Sequence, residues 1–287
     1  TTALKEAKKA QKSLPHLPLA ETILAQARSG TDPKNKQEAV SYYSKLLDNP
    51  ATSLQGLKGL LQVSVEENNS ERALTYAEEI YLKTNKNQWI KEVLVDLYAR
   101  HSRHQEAAKL AEELVKQAGK KTQQGQQAKF LQICNLLEDA KEKARLASTT
   151  DTPEILLLQA EKQARHILKM QPDFVPAGLF LADMLERRQT QNKATNLKQA
   201  RQVLKALYHH TPQHDVADRW FQLMKHEKNQ TLIKQTEKFV GPWKNSLLGL
   251  VTLAKAEMKI RQWSEAHKTL AKALLKGDDR TLFKVFA

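Results

Sequence analysis

Small and apolar side chains recur along this chain at four- and seven-residue steps, and the recurrence itself repeats. Ala160, Ala164 and Ile167 lead to Pro172, and 40 residues later Ala200, Leu204 and Leu207 lead to Pro212. Positions four and seven apart share one face of a helix, and a proline five residues further on ends it. Running backwards, the triplet reappears as Ala107, Ala111 and Leu114, then Ala73, Ala77 and Ile80, then Ala39, Tyr43 and Leu46, and at the start as Ala3, Ala7 and Ala10 with Pro15 behind. Running forwards, it reappears as Ala266, Leu270 and Ala273, which leaves room for one degenerate unit with its second helix near Gln230 to Phe239.

Ala39 to Ala73 and Ala73 to Ala107 are each 34 residues. That is the period of the tetratricopeptide unit, a pair of helices that buries its apolar face only by stacking on its neighbours. The expected fold is therefore all-α, a tetratricopeptide-like helical-hairpin solenoid of about seven units with irregular spacing. First helices are expected at Leu17–Arg28, Ser53–Glu67 and Gln88–His101, with partners at Asn35–Leu47, Ser70–Thr84 and Arg103–Gln117; Ser70 reads as an N-cap. In Gln88–His101, Ile90, Val93, Leu94, Leu97 and Tyr98 form the buried stripe, and Lys91, Glu92 and Asp96 face elsewhere.

Gly119 to Gln127, rich in Gly and Gln, breaks the period before a long helix to about Ala147, and reads either as a hinge or as an ordinary loop. The organisation expected is a regular array over 1–118, a break with a long helix over 119–153, and a more basic array over 154–287. Asp151, Thr152 and Pro153 open a helix to Met170, and Arg187 to Asn196 reads as an extended hairpin loop before Lys198–His209. His214–His226, Gln230–Phe239, Trp243–Ile260 and Ser264–Leu275 follow, with Ala254 and Ala266 as the small residues through which the last two cross.

Composition agrees with helices: 6% aromatic residues, nine Gly and nine Pro suit neither a β-sandwich nor a disordered tail. The net charge is +14, and the segment from Pro172 onward, with 20 Lys or Arg against 11 Asp or Glu, supplies +9 of it. Nucleic acid, anionic lipid and acidic protein all answer such a charge; the absence of a long Lys/Arg block favours a solvated helical surface. Cys134, the one cysteine, excludes an internal disulfide and reads as a small core residue. The apolar run Ile155–Leu158 is far too short to cross a bilayer. Opening on Thr1 without Met and ending in the helix-like Leu282–Ala287, the sequence reads as a fragment with targeting or membrane segments outside it.

Little catalytic chemistry is visible. There is no Gly-rich phosphate loop, G-x-S-x-G, H-E-x-x-H or C-x-x-C. Adjacent carboxylates such as Glu66-Glu67, Glu78-Glu79 and Glu112-Glu113 point about 100° apart on a helix and do not face across a cleft. The chain is read as non-catalytic. His101 with His104, and His209, His210 and His214, surround turns without a set of Cys, Asp or Glu to complete a metal site. They read as polar turn residues, with His209, His210 and His214 the weak candidates for haem; no metal or resident cofactor is expected. His226 and His267 look solitary and exposed.

A solenoid binds partners on the surface lined by its first helices. Here that surface is expected to include Lys58, Gln62, Trp89, Asp96, Arg100, Asp183, Arg187, Lys255 and Lys259, with Trp89 the strongest candidate because Trp is enriched in binding hot spots. The repeated Lys and Asn set with which chaperone-binding tetratricopeptide domains hold a terminal carboxylate is missing.

Several segments, in order, carry a resemblance: Asp48-Asn49-Pro50-Ala51-Thr52 leading to Gly56-Leu57-Lys58-Gly59-Leu60-Leu61, Trp89 at the next unit, Pro172-Asp173-Phe174-Val175-Pro176-Ala177, and Trp263-Ser264-Glu265-Ala266. The chain resembles the cytoplasmic part of the HemY-type inner-membrane proteins, bacterial tetratricopeptide proteins associated with haem biosynthesis. Ala7 to Pro15 with Leu17-Pro18-Leu19 looks like the segment after that family's two membrane helices. Lys and Gln are heavier here than in the Ala- and Arg-rich family pattern. The resemblance implies a membrane-anchored scaffold for late haem-biosynthesis enzymes at the cytoplasmic face of the inner membrane, with no catalytic residues to carry over. The flavin-dependent protoporphyrinogen oxidase that shares the name would need a dinucleotide-binding glycine motif, which this chain lacks. The alternatives are a helical-repeat nucleic-acid binder, which the solvated surface disfavours, and a protein that binds or transfers haem directly.

Overall fold

The computed structural model describes residues 33–84, 87–149, 153–188 and 193–276, together with Lys9. Among them every regular element is helical: α1 (Pro33–Lys45), α2 (Ser53–Glu66), α3 (Ser70–Lys83), α4 (Gln88–Arg100), α5 (His104–Ala118), α6 (Gln123–Leu146), α7 (Pro153–Met170), α8 (Val175–Arg187), α9 (Lys193–His210), α10 (His214–Leu223), α11 (Asn229–Val240), α12 (Leu247–Lys259) and α13 (Trp263–Leu274), with 3-10 turns at Leu46–Asp48 and Gly241–Trp243. Apart from Lys9, the helices expected at Ala3–Ala10 and Leu17–Arg28, and the run Leu282–Ala287, lie outside the described residues. Two compact units, Thr1–Asp139 and Ala140–Ala287, meet in sequence within α6.

In the first unit α1 packs on α2, α2 on α3, α3 on α4 and α4 on α5. In the second, α7 packs on α8, α8 on α9, α9 on α10 and α11, α11 on α12, and α12 on α13. Such nearest-neighbour hairpins make the fold tetratricopeptide-like. The periodic small residues sit where helices meet: Ala39, Ala73, Ala107, Ala160 and Ala200 are fully buried, as are Ala77, Ala111, Ala164 and Leu204 four positions on. In the degenerate unit Thr236, 36 residues after Ala200, takes the small position with no exposed surface, and Val240 follows four residues later. A core of Trp220, Phe239 and Tyr208, with ring centroids 4.3 and 4.5 Å apart, compensates there for the missing alanine.

Three hairpins close through the same three-residue turn. Asn68, Ser102 and Arg261, each the middle residue, adopt φ of 54°, 57° and 64°. The next residue then donates back across six residues, Asn69 N to Ser64 O at 2.9 Å, Arg103 N to Tyr98 O at 2.8 Å and Gln262 N to Glu257 O at 2.9 Å. This is the Schellman closure, which usually employs glycine at the left-handed position. The cap of α3 is Asn69, whose side chain accepts from Arg72 N at 3.1 Å; Ser70, expected in that role, is already helical.

Other boundaries also differ from the sequence pattern. α8 runs to Arg187 and α9 begins at Lys193, so Lys193 to Asn196 of the expected loop are helical. α6 takes in Gln123 to Gln127, since Gln, Lys and Ala sustain a helix well. Trp243–Ile260 is split: Gly241-Pro242 forms the 3-10 turn, and Ser246 caps α12 by accepting from Gly249 N at 3.1 Å. Lys91 does not face solvent; it is 2% exposed, and its Nζ lies 2.8 Å from Glu113 on α5. Cys134 is half-buried beside exposed Phe130 and Leu131, while Ile133 and Leu137 supply the core contacts of that helix.

Two substitutions test this packing. A Cβ on Gly59 would lie 2.3 Å from the ring of buried Tyr43. Helix propensity alone predicts that Gly59→Ala gains roughly 0.5–1 kcal/mol; the clash is expected to reverse the sign, to a loss of about 1–3 kcal/mol in urea unfolding. Ser102→Gly is expected to gain up to about 1 kcal/mol by relieving a left-handed side chain. A loss there would mean that the serine makes contacts worth more than its backbone costs.

Candidate functional site

On α2, Leu61 and Gln62 lie three and four residues after Lys58, and Val65 four and three after them; on α4, Trp89, Val93, Asp96 and Arg100 follow one another at three- and four-residue steps. The two stripes face one groove, so five of the nine expected surface residues come together in the first unit. The groove holds two adjoining pockets that share Val65, Trp89 and Val93. One, about 400 Å³, is bordered by Lys58 and Gln62; the other, about 410 Å³, by Asp96 and Arg100. Trp89 is 45% exposed and Val65 49%, an unusual amount of apolar surface for a recess. Lys58 Nζ lies over the Trp89 ring, 5.5 Å from its centroid, a cation–π contact. Gln62 donates to Glu66 at 3.1 Å, and Arg100 pairs with Asp96 at 2.9 Å.

The other four residues lie in the second unit, Asp183 and Arg187 on α8 and Lys255 and Lys259 on α12. Asp183 accepts from Arg219 Nε at 2.6 Å, and the same guanidinium reaches Glu186 and, at 2.8 Å, Gln222. Lys255 pairs with Asp218 at 3.2 Å. Ion pairs thus tie α8 to α10 and α10 to α12. Arg219, which the sequence pattern left unmarked, is the centre of this ladder; its offset of 36 residues from Asp183 is close to one repeat. Arg187 is exposed and borders a cavity of about 620 Å³ with Leu157, Phe180 and Met184. Lys259 lies over the Phe221 ring at 4.6 Å; burial holds its ammonium below the ordinary lysine range, nearby Lys255 adds to the effect and Asp218 opposes it.

The histidines occupy different settings. His209 Nε2 is 2.9 Å from the Phe239 carbonyl, its own carbonyl accepts from Trp243 Nε1 at 3.0 Å, and the ring presses on Gly241, where φ is +43°. It fastens α9 to the end of α11. His210 and His214 are exposed, as are His226 and His267. His104 Nδ1 lies 3.3 Å from Asn135. No cluster of three metal-ligating side chains occurs among the described residues, and no described helix is long and apolar enough to cross a membrane.

Glu257, on α12 between the two lysines in sequence, has a buried Oε2 with no hydrogen-bond partner. Burial pushes its carboxyl above the ordinary value of 4.5, Thr269 opposes, and Glu265 and Glu237 add to the rise. The folded carboxyl keeps its proton to higher pH than the unfolded one, so stability falls as pH rises from 4.5 through the raised value. Glu257→Gln is therefore expected to raise the melting temperature at neutral pH, with the gain vanishing once pH drops below 4.5. A gain that persists unchanged in acid would assign it to packing instead of charge.

No family model and no curated protein matches the chain. Among solved structures it is similar to a tetratricopeptide repeat protein from Parabacteroides merdae ATCC 43184, at 16% identity over 99% of this chain and 97% of that one, with a TM-score of 0.36. It is similar to the structure of Naa15/Naa10 bound to HypK-THB at 14% identity over 94% of this chain and 49% of that one, TM-score 0.37. It is similar to human IFIT1, in its dimer with m7Gppp-AAAA, at 14% identity over 94% and 76%, TM-score 0.29. At such scores these likenesses add nothing to the site, and the repeat architecture rests on the hairpins, turns and buried small residues themselves.

Proposed function

We propose that this chain is a non-catalytic protein-interaction scaffold whose α2/α4 groove receives a segment of a partner protein, with Trp89 as the anchor. The observation that carries this is the pair of adjoining pockets sharing Trp89, Val65 and Val93. A large apolar side chain of the partner would fill them, and the polar rim would fix its direction. Glu66, Glu92 and Asp96 line the same groove, so phosphate backbones would be repelled where a polypeptide is not. The resemblance described above supplies the rest of the proposal. The scaffold serves late haem-biosynthesis enzymes at the cytoplasmic face of a bacterial inner membrane, held by helices N-terminal to this chain, and its basic half lies against anionic lipid.

The test is purification of the tagged full-length protein from its own cells with quantitative mass spectrometry. Late haem-biosynthesis enzymes are expected with the wild type, reduced about ten-fold in a Trp89→Ala variant. Recovery of abundant background alone would overturn the haem assignment. Undiminished recovery by Trp89→Ala would overturn the groove.

A further inference from the structure

We infer that the groove between α10 and α12 is a second docking site, shaped for an acidic segment of a partner protein that also carries an apolar side chain. The recess measures about 840 Å³. Its floor is apolar: Phe221, Met224 and Leu232 are buried, and Met258 and Ile260 remain half-buried at the wall. Methionine adapts to varied apolar shapes, which suits a site filled by a partner.

The rim is cationic beyond what its own carboxylates neutralise. Asp218 is engaged by Lys255 at 3.2 Å, and Glu227 by Arg201 at 2.7 Å. Lys225 and Lys259 make no ion pair among the described residues. Lys259 rests on the Phe221 ring, 4.6 Å from its centroid, directly above the floor. A carboxylate entering there would meet two ammonium groups that hold no ion-pair partner among the described residues, while an adjacent Leu, Met or Phe would cover the apolar floor. Polynucleotide or a flat lipid surface satisfies only half of this arrangement: each matches the lysines, but phosphates gain nothing from the floor and a bilayer surface does not reach a recess. The acidic, partly apolar peptide matches both.

This inference shares with the scaffold proposal the premise that partners are proteins, but it concerns a different groove, so the two can fail separately. Short random peptides displayed on phage are selected on the immobilised whole chain, and the enriched peptides are synthesised and titrated by fluorescence anisotropy. They are expected to combine Asp or Glu with Leu, Met or Phe. Affinity is expected to fall about ten-fold in Lys225→Glu/Lys259→Glu, to survive Lys225→Arg/Lys259→Arg, and to be unchanged by Trp89→Ala. Should the double reversal fail to fold by circular dichroism, Lys225→Gln/Lys259→Gln replaces it, with the same direction expected. Enriched peptides without acidic bias, or indifferent to the lysine changes, would overturn the inference. Loss on Trp89→Ala would also overturn it, while leaving the α2/α4 groove standing. So would a failure to select peptides together with lysine-dependent binding of polyuridine, or of vesicles made of equal parts phosphatidylcholine and phosphatidylserine.

Discussion

Close approach of helices at small side chains is the constraint on which the rest of this structure depends. Ala39, Ala73, Ala107, Ala160 and Ala200 are buried to the last atom because a neighbouring helix lies against each. Gly59 meets the ring of Tyr43 and Gly178 meets Leu207 at distances that leave no room for a Cβ. Helix axes can come within about 8–10 Å only when one partner of each contact is small. A larger residue at any of these positions would splay a hairpin, and because each unit touches only its neighbours the error would pass to the next first helix. The grooves between α2 and α4, and between α10 and α12, are consequences of that spacing. Their stripes face one another because the second helices behind them are held close.

The fold was legible where physics is periodic. A buried stripe must recur every three or four residues, and a stacked unit must recur at its own length, so Ala73, Ala77 and Ile80 announce both a helix and a repeat. Punctuation was less legible. The turns at Asn68, Ser102 and Arg261 contain no glycine, although all three adopt the conformation that glycine adopts most easily. Their position is set by the two helices that they join, not by local preference. The same holds for α9, where Lys193 to Leu197 join the helix although the repeat needs none of them. Thr236 was invisible for another reason. A threonine in a polar stretch looks exposed until its hydroxyl is placed 3.5 Å from Trp220 Nε1 and its methyl in the core.

At the candidate surfaces, sequence pattern located faces but not partners. Lys58, Gln62, Trp89, Asp96 and Arg100 lie together because first helices one repeat apart are neighbours. Their pairing depends on side-chain reach, which the pattern does not encode. Lys91 shows the limit. It is polar and next to the buried stripe, so periodicity turned it outward; in the fold Glu113 on the following helix covers it and supplies its counter-charge. Arg219 shows the converse, since an unremarkable arginine becomes the link between α8 and α10 once Asp183 and Glu186 lie across from it.

Net charge therefore has to be divided before it says anything about binding. Arg103 is engaged by Glu78 and Glu106, Arg165 and Arg188 share Glu161, Arg201 takes Glu227, and Arg219 takes two carboxylates. These cations are spent on joining helices, and a ligand would have to displace an internal partner to reach them. The arginines of the ladder are planar, multidentate and partly sheltered, as suits a structural tie. Lys225 and Lys259 at the α10/α12 rim are of the other kind, single ammonium groups on flexible stems with no ion pair among the described residues. A basic helical repeat can thus carry its positive charge in two populations. One positions the surface, and the other, which carries the net charge of +14 because each ion pair cancels both signs, is left to choose what lies on it.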